Sequence, residues 1–150
     1  MIYGLIMAAV IAADQLTKLI IRANLDLGER IPVIGDWFRI TYVQNTGTAF
    51  SMFSGNKMVT LVLTSVLIVA CLILIVHESR SGSRSLAVCL TFVMAGGVAN
   101  MIDRLFIGFV TDMISVGSFA VFNVADIAVT CGCIIAMILV LLEYKDSENK

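Results

Sequence analysis

Charged residues are scarce in this sequence of 150 residues, and their positive and negative charges nearly cancel. Only 14% of the residues are Asp, Glu, Lys or Arg, and the formal net charge at pH 7 is −1. Binding to nucleic acid requires an excess of basic residues that a balanced composition does not supply. The sequence therefore predicts no nucleic-acid partner.

Proline, histidine and paired cysteine motifs are also scarce. The chain has one Pro, one His and four Cys. The cysteines lie inside apolar stretches, where cysteine usually packs as a small apolar residue, and His77 has no nearby ligand residues. Neither a disulfide framework nor zinc-ligand spacing is present. We therefore predict no metal site and no cofactor.

Long apolar runs are abundant instead, since 59% of the residues are hydrophobic. Four stretches almost free of charge have roughly the 17 to 25 residues needed to cross a bilayer core of about 30 Å. They are residues 2–21, 58–76, 86–102 and 119–142. We expect residues 1–150 to form a single integral membrane domain, an all-α polytopic protein with four transmembrane helices. The first helix is predicted to be retained, because no basic residue precedes its apolar run.

Polar residues inside these stretches are concentrated at one side of the predicted bundle. In a four-pass topology, the ends of the odd spans and the beginnings of the even spans meet in one leaflet. The residues that fall there are Asp14, Lys18, Asn100, Asp103, Arg104, Asn123 and Asp126. Spacings of three and four place members of each group on one helix face. The pattern predicts a single polar site.

The segment of about residues 22–57 is the one sizeable extramembrane part. Residues 37–43 mix aromatic and β-branched side chains and predict a strand, which residues 48–53 are expected to join as a hairpin. A second connection, residues 104–118, is apolar and predicts an extended piece against the bundle. Small residues at 95–97 and 99 predict close approach of the third helix to a neighbour.

Asp126 is the strongest candidate for chemistry, because it is the only charged residue in the fourth apolar stretch. A charge in a span costs about 2.5 to 3.5 kcal/mol and usually serves function. A second carboxylate beside it would share one proton, providing the acid and the base that water attack on a peptide bond requires. Asp103 and Asp112 are both available. Arg104 is expected to neutralise Asp103, which slightly favours Asp112 without excluding Asp103.

Two further polar features have simpler structural interpretations. Asp14 and Lys18, four residues apart, are expected to form an intrahelical ion pair. Asn45 is expected to occupy a turn in which Gly47 supplies backbone freedom.

Five blocks of the sequence, taken together and in order, resemble bacterial lipoprotein signal peptidases, the signal peptidase II family. They are DQLTK at 14–18, NTGTAF at 45–50, GGVANMIDR at 96–104, VTD at 110–112 and FNVAD at 122–126. The sequence departs from the usual pattern at Ala99, where a glycine is common, and at Ser115, where a second acid is common. Neither change removes a group that the resemblance assigns to catalysis.

The resemblance implies an aspartic endopeptidase of the bacterial cytoplasmic (inner) membrane. Such an enzyme removes the signal peptide of a prolipoprotein by cutting before the diacylglyceryl-modified cysteine, near the extracytoplasmic face. The implied partners are diacylglyceryl-modified prolipoproteins, membrane lipids and cyclic peptide antibiotic inhibitors of the globomycin type. The implied fold has four transmembrane helices, a small extracytoplasmic β-cradle, a surface amphipathic helix and cytoplasmic termini.

The resemblance also assigns roles to residues. It places the catalytic pair on Asp112 and Asp126. The residues implied to support the site or to bind substrate are Asp14, Lys18, Asn45, Gly47, Asn100, Asp103, Arg104 and Asn123. Basic residues do not support the implied orientation, because four lie on the side of the termini and six on the other: Arg80, Arg84, Lys145 and Lys150 against Lys18, Arg22, Arg30, Arg39, Lys57 and Arg104.

A small proton-coupled membrane transporter is the main alternative function, and a structural membrane adaptor is a third. Transport needs a polar path that reaches both faces of the membrane. Residues 2–13 and 86–93, which fill the opposite leaflet, contain no charged side chain. The sequence therefore favours the peptidase.

Overall fold

The computed structural model describes residues 1–47, 57–118 and 120–148. These residues contain four long helices: α1 (Ile2–Asn24), α2 (Lys57–Ser81), α3 (Arg84–Phe106) and α4 (Val124–Glu148). Each contains a span of 23 or more residues that is long and apolar enough to cross a membrane. The prediction of a four-pass helical membrane protein is confirmed.

A small antiparallel sheet lies where α1 and α3 end and α4 begins. Its strands are β1 (Arg30–Ile34), β2 (Phe38–Asn45), β3 (Val110–Val116) and β4 (Ala120–Phe122), in that spatial order. The predicted strand near residues 37–43 and the predicted extended piece within 104–118 are therefore both present. Strand β2 pairs with β1 and β3. Residues 48–53, which were expected to pair with it, lie outside the described residues.

The surface amphipathic helix implied by the resemblance is not found in the described part of residues 22–57. Helix α1 continues to Asn24, and the residues that follow it form turns and strands. Apolar residues in this segment alternate with polar ones over short runs, a pattern that suits a half-buried strand better than a helix.

Helix α4 begins at Val124, five residues later than hydropathy alone indicates. The side-chain oxygen of Asn123 accepts a hydrogen bond from the backbone N–H of Asp126 at 2.9 Å, and Asp126 Oδ2 accepts one from the backbone N–H of Asn123 at 3.3 Å. This reciprocal pair is a capping box that ends the extended chain and starts the helix. Hydropathy misses the boundary because β4 and α4 are both apolar.

Helix α3 is the central helix of the bundle. In its membrane span 56% of the residues are buried, against 22% or less in the other three spans. A Cβ atom on Gly96 would collide with the carbonyl oxygen of Ala125, and one on Gly132 would lie 2.7 Å from the carbonyl oxygen of Cys89. Glycine therefore permits the close contact of α3 with α4, as the small residues predicted. This contact brings Asn100 of α3 beside the first turn of α4.

Candidate active site

A cavity of about 480 Å³ opens where α3, α4, β3 and β4 meet. Two aspartates line it, Asp112 from β3 and Asp126 from the first turn of α4. The other lining residues are Asn45, Asn100, Arg104, Val110, Ala120, Val121, Phe122, Ile127, Val129, Thr130 and Cys131. One end of the cavity is thus polar, and the other runs along the apolar first turns of α4.

Asp112 is almost completely buried, with 2% of its surface exposed. Its Oδ1 accepts a hydrogen bond from Asn123 Nδ2 at 2.7 Å, and its Oδ2 accepts one from Asn45 Nδ2 at 3.0 Å. Two amide donors therefore hold the carboxyl group of Asp112 in a fixed orientation at the cavity wall.

A β-bulge in β2 makes the contact with Asn45 possible. Ile40 lies opposite Ile114 and Val43 lies opposite Asp112, so β2 has one extra residue between these pairs. In a regular ladder, a shift of one residue moves a side chain to the other face of the sheet. Without the bulge, Asn45 would face away from Asp112.

Asp126 is half-buried and is held by a second pair of donors. Its Oδ1 accepts a hydrogen bond from Asn100 Nδ2 at 2.8 Å, in addition to the capping bond at Oδ2 from Asn123. Asn123 also donates to Asn100 Oδ1 at 3.1 Å. Asn123 therefore contacts both aspartates and couples their positions. A helix N-terminus additionally favours a carboxylate at this place.

Burial raises the pKa of Asp112 from 3.8 to about 6. The hydrogen bond from Asn45 opposes this rise in pKa, the nearby carboxylate of Asp126 adds to it, and the hydrogen bond from Asn123 and the charge of Lys18 oppose it. The protonated form of Asp112 therefore persists to a pH about two units above that of an exposed aspartate. The site can hold a proton donor next to a second carboxyl group.

A buried ionic cluster lies behind the cavity, around the ammonium group of Lys18. Lys18 Nζ lies 2.7 Å from Asp14 Oδ2, 3.1 Å from Asp103 Oδ2 and 2.9 Å from Asn100 Oδ1. These three acceptors use all the hydrogens of the ammonium group. The predicted Asp14–Lys18 ion pair is confirmed. Asp14 Oδ1 also accepts a hydrogen bond from the backbone N–H of Ala125 at 2.9 Å, which ties α1 to α4.

Within the described residues, Asp103 forms its ion pair with Lys18 and not with Arg104, so the expected local neutralisation by Arg104 was wrong. Consecutive residues of a helix point about 100° apart, and Asp103 faces the cluster around Lys18 whereas Arg104 lines the cavity. Arg104 Nη2 donates to the carbonyl oxygen of Gly47 at 2.7 Å. The backbone N–H of Gly47 donates to Asn45 Oδ1 at 2.9 Å, which confirms the predicted turn. Arg104 therefore holds the turn that carries Asn45.

The ten predicted site residues form one connected network, but they divide into two layers. Those that line the cavity are Asn45, Asn100, Arg104, Asp112 and Asp126. Asp14, Lys18, Asp103 and Asn123 are completely buried, and Gly47 is buried in the turn that follows Asn45. The buried group is placed to position the first layer.

Three residues of this network were not predicted from the sequence: Gln15, Arg22 and Thr111. Gln15 Nε2 donates to Asp103 Oδ1 at 3.1 Å and to the carbonyl oxygen of Ala99 at 3.2 Å. Arg22 Nη1 lies 3.9 Å from Asp103 Oδ1 and donates to Thr111 Oγ1 at 3.0 Å. Arg22 had a signal in the sequence, because it lies four residues after Lys18 on the same helix face.

Comparison with known proteins agrees with this architecture. The family model described as "Signal peptidase (SPase) II" matches residues 6–142. A lipoprotein signal peptidase of Brevibacillus brevis is 37% identical over 148 residues, which cover 97% of this chain and 99% of that protein. One from Dehalococcoides mccartyi is 42% identical over 136 residues, covering 88% of this chain and 84% of that protein.

Solved structures support the same relationship. A bacterial membrane enzyme determined by the in meso method at 2.3 Å resolution superposes with a TM-score of 0.85 and 31% identity, covering 99% of this chain and 90% of that one. A second bacterial membrane enzyme, determined by the same method at 1.9 Å, has a TM-score of 0.80 and 30% identity. The family model, the relatives and the shared fold together show that this multi-pass membrane protein belongs to the signal peptidase II family of bacterial lipoprotein signal peptidases.

Proposed function

We propose that the protein is an intramembrane aspartic endopeptidase that removes the signal peptide of prolipoproteins by cutting before the diacylglyceryl-modified cysteine. The observation that carries this proposal is the arrangement of Asp112 and Asp126. Both carboxyl groups line one cavity at the end of the spans, and Asn123 contacts both. Two carboxyl groups that share a site and hold one proton are suited to activate water against a peptide carbonyl.

In the proposed mechanism, Asp112 begins protonated and Asp126 begins ionised. Asp126 takes a proton from water as the water oxygen attacks the scissile carbonyl carbon, while Asp112 gives its proton to the carbonyl oxygen. Asp126 then gives its proton to the nitrogen of the leaving amine as the C–N bond breaks, and Asp112 recovers its proton from the gem-diol. The raised pKa of Asp112 supports this assignment of acid and base.

The apolar part of the cavity suits a substrate that arrives through the membrane. Ile127, Val129 and Cys131 continue the cavity along α4 inside its membrane span. We assign this part to the signal helix and acyl chains of the prolipoprotein, which enter laterally between lipids. Cyclic peptide antibiotics of the globomycin type would inhibit by filling the same cavity. Asn45, Asn100 and Arg104 line its polar end and are placed to contact either ligand.

The proposed location is the bacterial cytoplasmic membrane, with both chain termini in the cytoplasm and the aspartates near the extracytoplasmic face. An even number of spans puts both termini on one side, and the sheet on the other. A signal peptide is removed after its passenger crosses the membrane, so the cutting site belongs on the extracytoplasmic side.

The direct test is cleavage by the purified protein in detergent micelles. Two substrates would be compared, a prolipoprotein peptide with a diacylglyceryl-modified cysteine and the same peptide with an unmodified cysteine. We expect cutting of the modified peptide, located by mass spectrometry to the bond before the cysteine, and little cutting of the unmodified one. Absence of cleavage under all conditions would contradict the proposed activity and favour the transporter alternative.

Activity is expected to fall as the pH rises, because the mechanism needs Asp112 protonated. Its pKa of about 6 predicts that kcat/KM of the free enzyme declines with a midpoint near pH 6 and then by about tenfold for each further pH unit. The pair titrates as a unit, so the observed midpoint belongs to both carboxyl groups. The measurement is a pH profile of kcat/KM between pH 4.5 and 9. A rate that increases steadily to pH 9 would contradict the assignment of Asp112 as the acid.

A further inference from the structure

A second cleft, of about 610 Å³, lies over the sheet outside the helical bundle. The strand register defines its floor. Arg30 of β1 lies opposite Thr41 of β2, Arg39 of β2 lies opposite Ser115 of β3, and Ser115 lies opposite Val121 of β4. Residues that lie directly opposite each other point to the same face of a sheet. All five residues line the cleft, which therefore crosses the full width of the sheet.

The cleft has an excess of positive charge. Two guanidinium groups, those of Arg30 and Arg39, line it together with one carboxyl group, that of Asp36. Among the described residues, neither arginine forms an ion pair. Arg39 Nη2 donates to the carbonyl oxygen of Gly117 at 3.1 Å, but its buried Nε has no hydrogen-bond partner in the same part of the chain. A buried donor without an acceptor in the protein is rare, and this N–H is free to bind water or an anionic ligand.

The two cavities meet at β4. Ala120 and Val121 line the cavity that holds the aspartates as well as the cleft over the sheet. Because β4 is the last strand of the sheet, a chain can pass around this edge from one face to the other. Asp112 lies on the opposite face of β3 from Ser115, so the edge separates the aspartates from the arginines.

The proposed peptidase function determines which part of a substrate reaches this edge. The apolar signal helix has to lie in the bilayer beside the spans, with its carboxyl end at Asp112 and Asp126. The substrate residues that follow the scissile bond then extend out of the membrane toward the β-sheet. We propose, on the basis of that function, that the cleft over the sheet, here called the arginine cleft because Arg30 and Arg39 line it, binds the first residues of the mature lipoprotein after the modified cysteine. The arginine cleft prefers substrates with acidic side chains at these positions.

The experiment uses the full protein in neutral detergent and three substrates that are identical up to the modified cysteine. One continues with a short extension containing two Asp, the second replaces both by Asn, and the third ends at the cysteine. We expect kcat/KM of the parent protein to be about fivefold higher for the Asp extension than for the Asn extension, the upper value for an ion pair exposed to solvent.

The arginine variants test whether the cleft causes this preference. In Arg30→Gln/Arg39→Gln the preference for Asp over Asn is expected to fall below about twofold, whereas cleavage of the substrate that ends at the cysteine stays unchanged. Arg80→Gln removes an exposed cation at the other end of the bundle and is expected to retain the full preference. Arg39→Lys keeps the positive charge and is expected to retain part of the preference for Asp over Asn. A thermal melt of each variant verifies folding.

Several outcomes would overturn the inference separately from the function. Equal rates on the three substrates, or an Asp preference that survives in the double variant, would reject the cleft as a subsite while leaving the peptidase established. The double variant could also lose activity on all three substrates only when anionic phospholipid is added. That result would assign the two arginines to binding lipid headgroups instead. Failure of the parent to cut any substrate would reject the proposed function and this inference with it.

Discussion

Asp112→Asn and Asp126→Asn are each expected to lower kcat/KM for a diacylglyceryl-modified prolipoprotein peptide by about 10²- to 10⁴-fold, the usual value of a general acid or base. Asparagine has nearly the shape of aspartate but neither takes nor gives the proton that water attack requires. Because the two carboxyl groups act as one unit, Asp112→Asn/Asp126→Asn is expected to be no worse than either single variant. The measurement is a single-turnover cleavage assay at pH 5.5.

Folding of the Asp112 variant can be distinguished from catalysis, because its stability is expected to change little whereas its activity is lost. The pKa of Asp112 is about 6 in the folded protein and 3.8 when unperturbed, so the folded state binds the proton more tightly. Stability is therefore lost as the pH rises from about 4 to 6, by about 3 kcal/mol. Asp112→Asn removes this penalty, but its NH₂ group then faces one of the two amide donors that bind Asp112, which costs about 1 to 3 kcal/mol. The two effects nearly cancel, so the variant is expected to melt at neutral pH within a few degrees of the parent.

Two control variants complete this experiment. Asp26→Asn changes an exposed acid in the loop after α1 and is expected to retain parental activity. Asp103→Asn tests the other carboxyl group that the sequence allowed as the partner of Asp126. Residual cutting in Asp112→Asn together with complete loss in a folded Asp103→Asn would transfer the second catalytic role to Asp103.

Lys18→Met is expected to produce the largest loss of stability of any single change in the buried cluster. Lys18 is completely buried, and its removal leaves the carboxylates of Asp14 and Asp103 without their shared cation. Removing one partner of a buried ionic pair costs about 3 to 5 kcal/mol. For a protein of this size, that predicts a decrease in Tm of about 10 °C. The measurement is thermal unfolding in detergent micelles, with Arg80→Met as the surface control.

A second variant shows whether charge is the cause. In Asp14→Asn/Lys18→Met, one anion and one cation are removed together, and Arg22 remains 3.9 Å from Asp103. We expect the double variant to recover at least about 1 kcal/mol relative to Lys18→Met alone, a coupling typical of residues in contact. Equal stability of the single and double variants would show that Lys18 acts through packing. Activity is expected to fall in both, because Lys18 holds Asn100 and Asn100 holds Asp126.

The sequence by itself determined the architecture of the bundle and the main candidates for the site. Four apolar runs of spanning length predict four helices, since lipid offers no hydrogen bonds to an open backbone. The isolated charge of Asp126 in an apolar helix indicates function for the same reason. The strand character of residues 37–43 follows from local composition. These conclusions depend on neighbours within a few residues, which the sequence displays directly.

Only the tertiary structure decided which groups meet. Asn45 and Asp112 are 67 positions apart, and their hydrogen bond depends on the register of β2 with β3 and on one bulged residue. The cations beside Asp103 come from α1, although Arg104 is adjacent in sequence. The arginine cleft likewise exists only because three strand pairings align Arg30, Arg39 and Ser115 on one face. A shift of one residue in the pairing of distant strands moves each side chain to the other face of the sheet, and local composition does not determine that pairing.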